Sequence, residues 1–299
     1  MTLAVHRTVA EFRQAANAVR LAGQRLGLVP TMGALHAGHL SLVREARSRA
    51  DAVAVTLFVN PTQFGPNEDF ERYPRTFERD LELCREAGVS HVFAPAASEI
   101  YPQGERTRVH VSGLTDALCG PHRPGHFDGV TTIVSKFFAV AGECVAVFGR
   151  KDYQQLKVIE RMTRDLLLPV EVVGLCTLRD ADGLALSSRN AYLSSAERER
   201  ALAIPRALSV AVSAFAAGER HVGALRAAAL GSLSDAGLRL DYATVAGADD
   251  LTPIADEASS GDRALLAIAG FMGKTRLIDN VVLGEDSAPI ASPKKLGEG

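Results

Sequence analysis

From the N-terminus to about Leu175, short apolar runs give way repeatedly to longer segments of helical spacing. Gly27-Leu28-Val29 is a short run ended by Pro30, and Leu40 to Ala50 then places Leu40, Val43, Ala46 and Ala50 on one helical face. Val53 to Val59 is almost unbroken apolar sequence, as in a strand buried on both sides of a parallel sheet. Thr76 to Ala87 reads as a helix stopped by Gly88, and Val89 to Ala94 as a strand. Val130 to Val140 is a helix, Cys144 to Phe148 a strand, Lys151 to Leu166 an amphipathic helix and Val170 to Gly174 a strand. Strands and helices in this alternation predict an α/β domain, a parallel sheet with helices on both faces.

The pattern changes after Leu178. Arg179 to Gly183 is a turn, and Ser194 with Glu197 has capping-box spacing at the start of a helix running to about Ala217. A helix over roughly His221 to Ala236 follows, then three strand-like runs, Leu238–Val245, Arg263–Ala269 and Thr275–Leu283. The expectation is three segments: 1–177, an α/β domain; 178–284, a smaller α+β domain; and 285–299, a disordered tail rich in Ser, Pro and charge. Neither an internal repeat nor a coiled-coil heptad is visible.

Composition narrows the function classes. The 299 residues are 47% hydrophobic and 23% charged, with a net charge of −2, an ordinary globular balance. There is no basic excess, which argues against nucleic-acid binding and against a polybasic membrane anchor. The longest stretch without formal charge, Leu26 to Val43, is interrupted by Pro30, His36, His39 and glycines, so no membrane span is expected. His6, Arg7, Glu11 and Arg13 stand where a secretory signal would be apolar. Cys84, Cys119, Cys144 and Cys176 are too scattered for a metal finger or redox pair and read as reduced thiols of a cytoplasmic protein.

Four clusters fall where a strand ends or a loop opens. Pro30 to His39 contains Gly33 and Gly38, where a nucleotide could approach the backbone, and His36 and His39, able to face a phosphate at the start of a helix. Asn60 and Gln63 are amides that suit an uncharged polar group. In Gly149-Arg150-Lys151-Asp152, Lys151 could meet a phosphate and Asp152 a ribose or a Mg²⁺-bound water, with Gln155 on substrate. Leu186-Ser187-Ser188-Arg189 offers hydroxyls and a guanidinium as a phosphate clamp. Arg123 with His126, and the turn Tyr73-Pro74-Arg75, are weaker members of the same group. A Walker A loop, a Gly-x-Ser-x-Gly elbow and metal-ligand spacing are all missing from the sequence.

Taken together, LVPTMGALHAGHLSLV, FVNPTQF, YPRT, HRPGHF, FGRKDYQQL and DGLALSSRN resemble the pantoate–β-alanine ligase family, over about Leu26 to Val282. HxGH alone marks only the wider adenylyl-transferring superfamily. The resemblance implies a Rossmann-like N-terminal domain, a smaller C-terminal domain covering its active site, and a homodimer. It implies the joining of pantoate to β-alanine with ATP and Mg²⁺, releasing AMP and pyrophosphate through a pantoyl-adenylate. Carried over motif by motif, Met32, Gly33, Ala34, Leu35, His36, Ala37, Gly38 and His39 line the ATP site, with His39 as proton donor and His36 on the phosphates. Gln63 contacts pantoate and β-alanine, Gly149, Arg150, Lys151 and Asp152 bind ATP, and Gln155 binds pantoate. Leu178 and Leu186 border the adenine, and Ser187, Ser188 and Arg189 hold phosphates. The sequence departs from the family at Arg150, where Glu is usual, and at Ala37, a variable position. Two rivals remain: a nucleotidyltransferase of the same superfamily, which leaves AMP on its product, and a non-catalytic nucleotide-binding module.

Overall fold

A computed structural model describes residues 3–66, 68–233 and 236–290. The chain divides into two compact units, Met1–Leu178 and Arg179–Gly299.

The first unit contains β1 (Ala4–His6), α1 (Val9–Leu21), β2 (Leu26–Thr31), α2 (Ala37–Arg49), β3 (Ala52–Leu57), α3 (Phe77–Glu86), β4 (His91–Phe93), α4 (Ala97–Ile100), α5 (His126–Ala141), β5 (Cys144–Gly149), α6 (Tyr153–Asp165) and β6 (Val170–Leu175). All six strands run parallel, in the order β1-β4-β3-β2-β5-β6. From the centre the chain steps outward through β2, β3 and β4 on one side and through β5 and β6 on the other, so the topological switch lies between β2 and β5. In an open α/β sheet the ligand crevice opens at the carboxyl ends of such a pair.

Alternation along each strand divides the core. Val29, Val53, Val55, Val92, Val145 and Val147 pack with Leu42, Val43 and Ala46 of α2 and with Leu81 and Cys84 of α3. The opposite face is covered by α1 and α5. There Phe12 stacks on Phe93 at 4.7 Å, and Phe138 meets Phe148 edge-on at 6.3 Å. The sequence reading omitted β1 and α1, although Thr8 and Glu11 form a complete capping box and Phe12, Ala16 and Val19 make one buried stripe.

The second unit contains α7 (Ser195–Ala201), α8 (Ala203–Ala216), α9 (Val222–Gly231), β7 (Arg239–Gly247), β8 (Ala264–Met272) and β9 (Thr275–Leu283). The strands form an antiparallel sheet in the order β7-β8-β9, and the helices share a core with it. The single helix expected from Ser194 to Ala217 is two helices meeting at Leu202. Pro205 has no N–H to give the Ala201 carbonyl, so an uninterrupted ladder is impossible there. The Ser194–Glu197 capping box is present. The helix expected from His221 to Ala236 is shorter, with His221 as its cap and Gly231 its last residue.

The expectation of disorder from Glu285 does not hold for its first residues. Asp286 accepts from the Val282 N–H at 2.7 Å, Arg263 pairs with Glu285 at 3.0 Å, and the Ile290 N–H donates to Ser209 at 2.9 Å. Residues 291–299 of that expected tail lie outside the described residues. Among the described residues no helix is long and apolar enough to cross a membrane. All four cysteines are free thiols, three of them buried.

Candidate active site

Between β2 and α2 the chain turns sharply. Gly33 and Ala34 both take left-handed backbone conformations, φ +82 and +51. For Ala34 this costs energy, and something must hold it. That group is Asp80 of α3, only 2% exposed. Its two carboxylate oxygens accept from the Ala34 N–H at 2.9 Å and the Leu35 N–H at 2.8 Å, and Thr76 Oγ1 donates to it at 3.2 Å. Thr31 Oγ1 accepts from the Gly33 N–H at 3.1 Å. Sequence reasoning missed Asp80. Its signal was a carboxylate on the apolar face of α3, beside Leu81 and Cys84.

His36 caps α2, its Nδ1 accepting from the Gly38 N–H at 3.1 Å. The helix therefore starts at Ala37, earlier than the sequence suggested, and the Gly38 amide is already used. His39 Nδ1 faces the His36 N–H at 3.4 Å, and the two rings lie 4.1 Å apart. With both Nδ1 atoms accepting, the proton of each neutral ring belongs on Nε2. Burial pushes His36 down to about 4, helped by the positive charge of Lys151. His39 is pushed down to about 3, by burial first and then by His36. Both rings are thus neutral near pH 7 and present N–H donors rather than imidazolium charge.

Lys151 and Asp152 occupy a 3-10 turn after β5, across the switch from β2. Their opposite charges act on both imidazoles and are 3.9 Å apart. Arg150 lies 3.9 Å from Cys176 and 5.6 Å from the Tyr153 ring. In α6 the two glutamines divide. Gln154 is buried and bonded to the Cys119 N–H and to the Leu114 and Ala117 carbonyls, whereas the Gln155 side chain makes no hydrogen bond among the described residues. Gln154 is structural, and Gln155 retains an amide for a ligand.

After β3, Pro61–Gln63 form a 3-10 turn that brings Gln63 within 3.3 Å of Met32 Sδ. Asn60, expected to contact a ligand, is 1% exposed and internally saturated. Its Oδ1 accepts from Tyr101 at 2.7 Å and Thr62 Oγ1 at 3.0 Å, and its Nδ2 donates to the Gly129 carbonyl at 3.1 Å and Gln63 Oε1 at 3.0 Å. Asn60 therefore orients Gln63 rather than meeting substrate. Gly129 is required here, because a Cβ would lie 2.3 Å from the Thr62 carbonyl oxygen. Arg123 and His126 reach the backbone of Gln63, at 3.4 and 2.8 Å. In the Tyr73-Pro74-Arg75 turn, buried Tyr73 is edge-on to Phe64 at 5.9 Å, and exposed Arg75 binds the Phe70, Glu71 and Tyr73 carbonyls.

Leu178 closes the first unit and is 38% exposed. Leu186 to Arg189 belong to the second unit. Ser187 caps a 3-10 helix over Ser188–Tyr192 by accepting from the Arg189 N–H at 3.2 Å. The loop's base is fixed by Arg179 on buried Asp279, at 2.6 and 3.0 Å, and by Arg198 bridging Asp180 and Asp182, each at 2.7 Å.

Known proteins resemble the chain over nearly its whole length. The family model described as pantoate-beta-alanine ligase matches residues 4–282. A pantothenate synthetase of Myxococcus xanthus is 53% identical over 285 residues, covering 95% of this chain and 97% of the relative. One from Moorella thermoacetica is 53% identical over 277 residues, covering 92% of this chain and 97% of the relative. The crystal structure of pantothenate synthetase from Thermus thermophilus superposes with a TM-score of 0.87 at 43% identity, covering 96% of this chain and 100% of that one. That of a Francisella tularensis pantoate-beta-alanine ligase, described as complexed with beta-gamma ATP and beta-alanine, gives 0.75 at 31% identity, with 96% and 100% covered. By sequence over nearly its whole length and by fold, the chain belongs to the pantoate–β-alanine ligase family.

Proposed function

We propose that ATP lies across the carboxyl ends of β2 and β5, with its phosphates on His36, His39 and Lys151, and that pantoate lies beside it on Gln63 and Gln155. The observation that carries this reading is the pair of neutral imidazoles 4.1 Å apart at the topological switch, with the Lys151 charge acting on both. The reaction is the family's: ATP-dependent condensation of pantoate with β-alanine to pantothenate, AMP and pyrophosphate, through a pantoyl-adenylate.

In the first step a pantoate carboxylate oxygen attacks the α-phosphorus, and the bond to the bridging oxygen breaks to release pyrophosphate. The carboxylate is already a nucleophile, so the protein's task is to stabilise charge building on phosphate oxygens. His39 Nε2–H, His36 Nε2–H and the Lys151 ammonium are the donors for this. In the second step the neutral amine of β-alanine attacks the adenylate carbonyl, AMP leaves and the amine gives up a proton. The mixed anhydride must be kept from water in between.

Met32 to His39 and Gly149 to Asp152 form the ATP-binding walls in this reading, and Leu178 borders the adenine. The family resemblance assigns Leu186 to the adenine and Ser187, Ser188 and Arg189 to phosphates. Mg²⁺ would accompany the nucleotide and would supply neutralisation of phosphate charge. Among the described residues no group of three or more His, Cys, Asp or Glu could hold a metal. Asp152 is the residue that would meet a water on such an ion. The free thiols fit a reducing, cytoplasmic compartment, and the family resemblance supports a homodimer.

Gln63 receives a donor at Oε1 and its Nε2 donates one N–H to Met32 Sδ at 3.3 Å, so the second Nε2 N–H is the one it offers the ligand. Gln63→Ala is expected to raise the pantoate KM at least tenfold with the ATP KM within about twofold, and Gln63→Glu, which sets carboxylate against carboxylate, to be worse than alanine. Steady-state titration of each substrate checks this; an unchanged pantoate KM in Gln63→Ala removes the role.

A further inference from the structure

Arg123 and His126 lie in a sequence cluster to which the reaction above gives no part. Arg123 holds Glu68 as a two-pronged ion pair, Nε to Oε1 at 2.7 Å and Nη2 to Oε2 at 2.6 Å. Its remaining nitrogen, Nη1, is 2.8 Å from His126 Nε2. A guanidinium can only donate, so Nε2 must accept and the ring proton must sit on Nδ1. His126 Nδ1 is 2.8 Å from the Gln63 carbonyl oxygen and donates to it. Burial, and next the Arg123 charge, push His126 down to about 4, which keeps the ring neutral and preserves this direction of donation.

The hydrogen bonds thus run one way, from the Arg123–Glu68 pair to the backbone of Gln63, through His126 at 2.8 Å and directly from Arg123 Nη2 at 3.4 Å. A second, separate set fixes the Gln63 side chain. Tyr101 and Thr62 both donate to Asn60 Oδ1, so Asn60 Nδ2 must donate to Gln63 Oε1. The first set places the residue and the second chooses which end of its amide faces outward. His126 is the first residue of α5, which packs directly on the Gln63 turn at Gly129.

We infer that Arg123 and His126 are positioning residues for the hydroxy-acid substrate, holding the backbone of Gln63 so that its amide N–H group meets an oxygen of pantoate. This rests on the assignment of Gln63 to pantoate made above. It distinguishes them from His36 and His39, whose loop is held by Asp80 and whose partner is ATP.

The test is a double-substitution cycle on the full-length enzyme, read as separate KM values and kcat. His126→Ala is expected to raise the pantoate KM about tenfold and leave the ATP KM within twofold. His126→Asn, which returns an N–H near the place of Nδ1, should recover most of the loss. His126→Ala combined with Gln63→Ala should be no worse than Gln63→Ala alone, because the first change acts only through the second residue. Arg123→Lys, which keeps the charge beside Glu68 but loses the fork, should shift the pantoate KM in the same direction and serves if His126→Ala does not fold. A pantoate KM that moves with Gln63→Ala but not with His126→Ala or Arg123→Lys overturns the inference alone. So does full additivity in the double variant, or an equal rise in the ATP KM. A pantoate KM that does not move with Gln63→Ala overturns the Gln63 assignment and the inference with it.

Discussion

Replacing His39 with alanine is expected to slow adenylate formation about 10²–10³-fold, the usual consequence of losing one well-placed donor to transition-state charge. The ring carries no charge in the free enzyme, since burial and the neighbouring His36 hold it at about 3. What it offers is therefore a single directional N–H. His39 Nδ1 is occupied by the His36 backbone, so that N–H is Nε2. His39→Gln, whose Nε2 falls near the same position, should keep more activity than His39→Ala, which a role in general proton donation would not predict. Single-turnover measurement of pyrophosphate release separates the variants. Equal rates for wild type and alanine would remove His39 from the first step.

Loss of Asp80 should have the largest effect on the fold of the site. Asp80→Ala takes the acceptor from the buried Leu35 N–H, removes the carboxylate from the half-buried Ala34 N–H and takes away the support of a left-handed alanine. Unpaired buried donors cost about 1–3 kcal/mol each, so the variant should lose about 3 kcal/mol or more. For a unit of this size that lowers Tm by roughly 6–12 °C. Asp80→Asn, which returns one acceptor and sets an N–H against the other amide, should lie between. The ATP affinity of both variants should fall, because the loop carrying His36 and His39 loses its anchor. Thermal unfolding followed by ATP titration checks both parts, and an unshifted Tm in Asp80→Ala contradicts this role.

Much of the architecture is written in patterns that sequence alone displays. The nearly unbroken apolar run from Val53 reads as a strand covered on both sides, and the capping pair Ser194 and Glu197 marks a true helix start. The motifs at the ends of β2, β3 and β5 were legible because a parallel sheet gathers such ends along one edge. What escaped depends on contacts between distant segments. Asn60 and Gln63 look alike as amides in a turn, and only Tyr101 and Gly129, far along the chain, show that one is saturated and the other oriented. Gln154 and Gln155 are neighbours whose difference is set by the Leu114–Cys119 loop. Asp80 reads as an ordinary helix carboxylate until its face is seen to meet the Gly33–Leu35 turn. By contrast, the break at Leu202 was readable from Pro205.

The most direct test of the central claim is AMP release from ATP and Mg²⁺ in the presence of pantoate, with and without β-alanine. The account predicts sustained release only when both substrates are present, with free AMP and pantothenate formed in equal amounts. Product that retains AMP, or ATP binding with no AMP released under either condition, would contradict it.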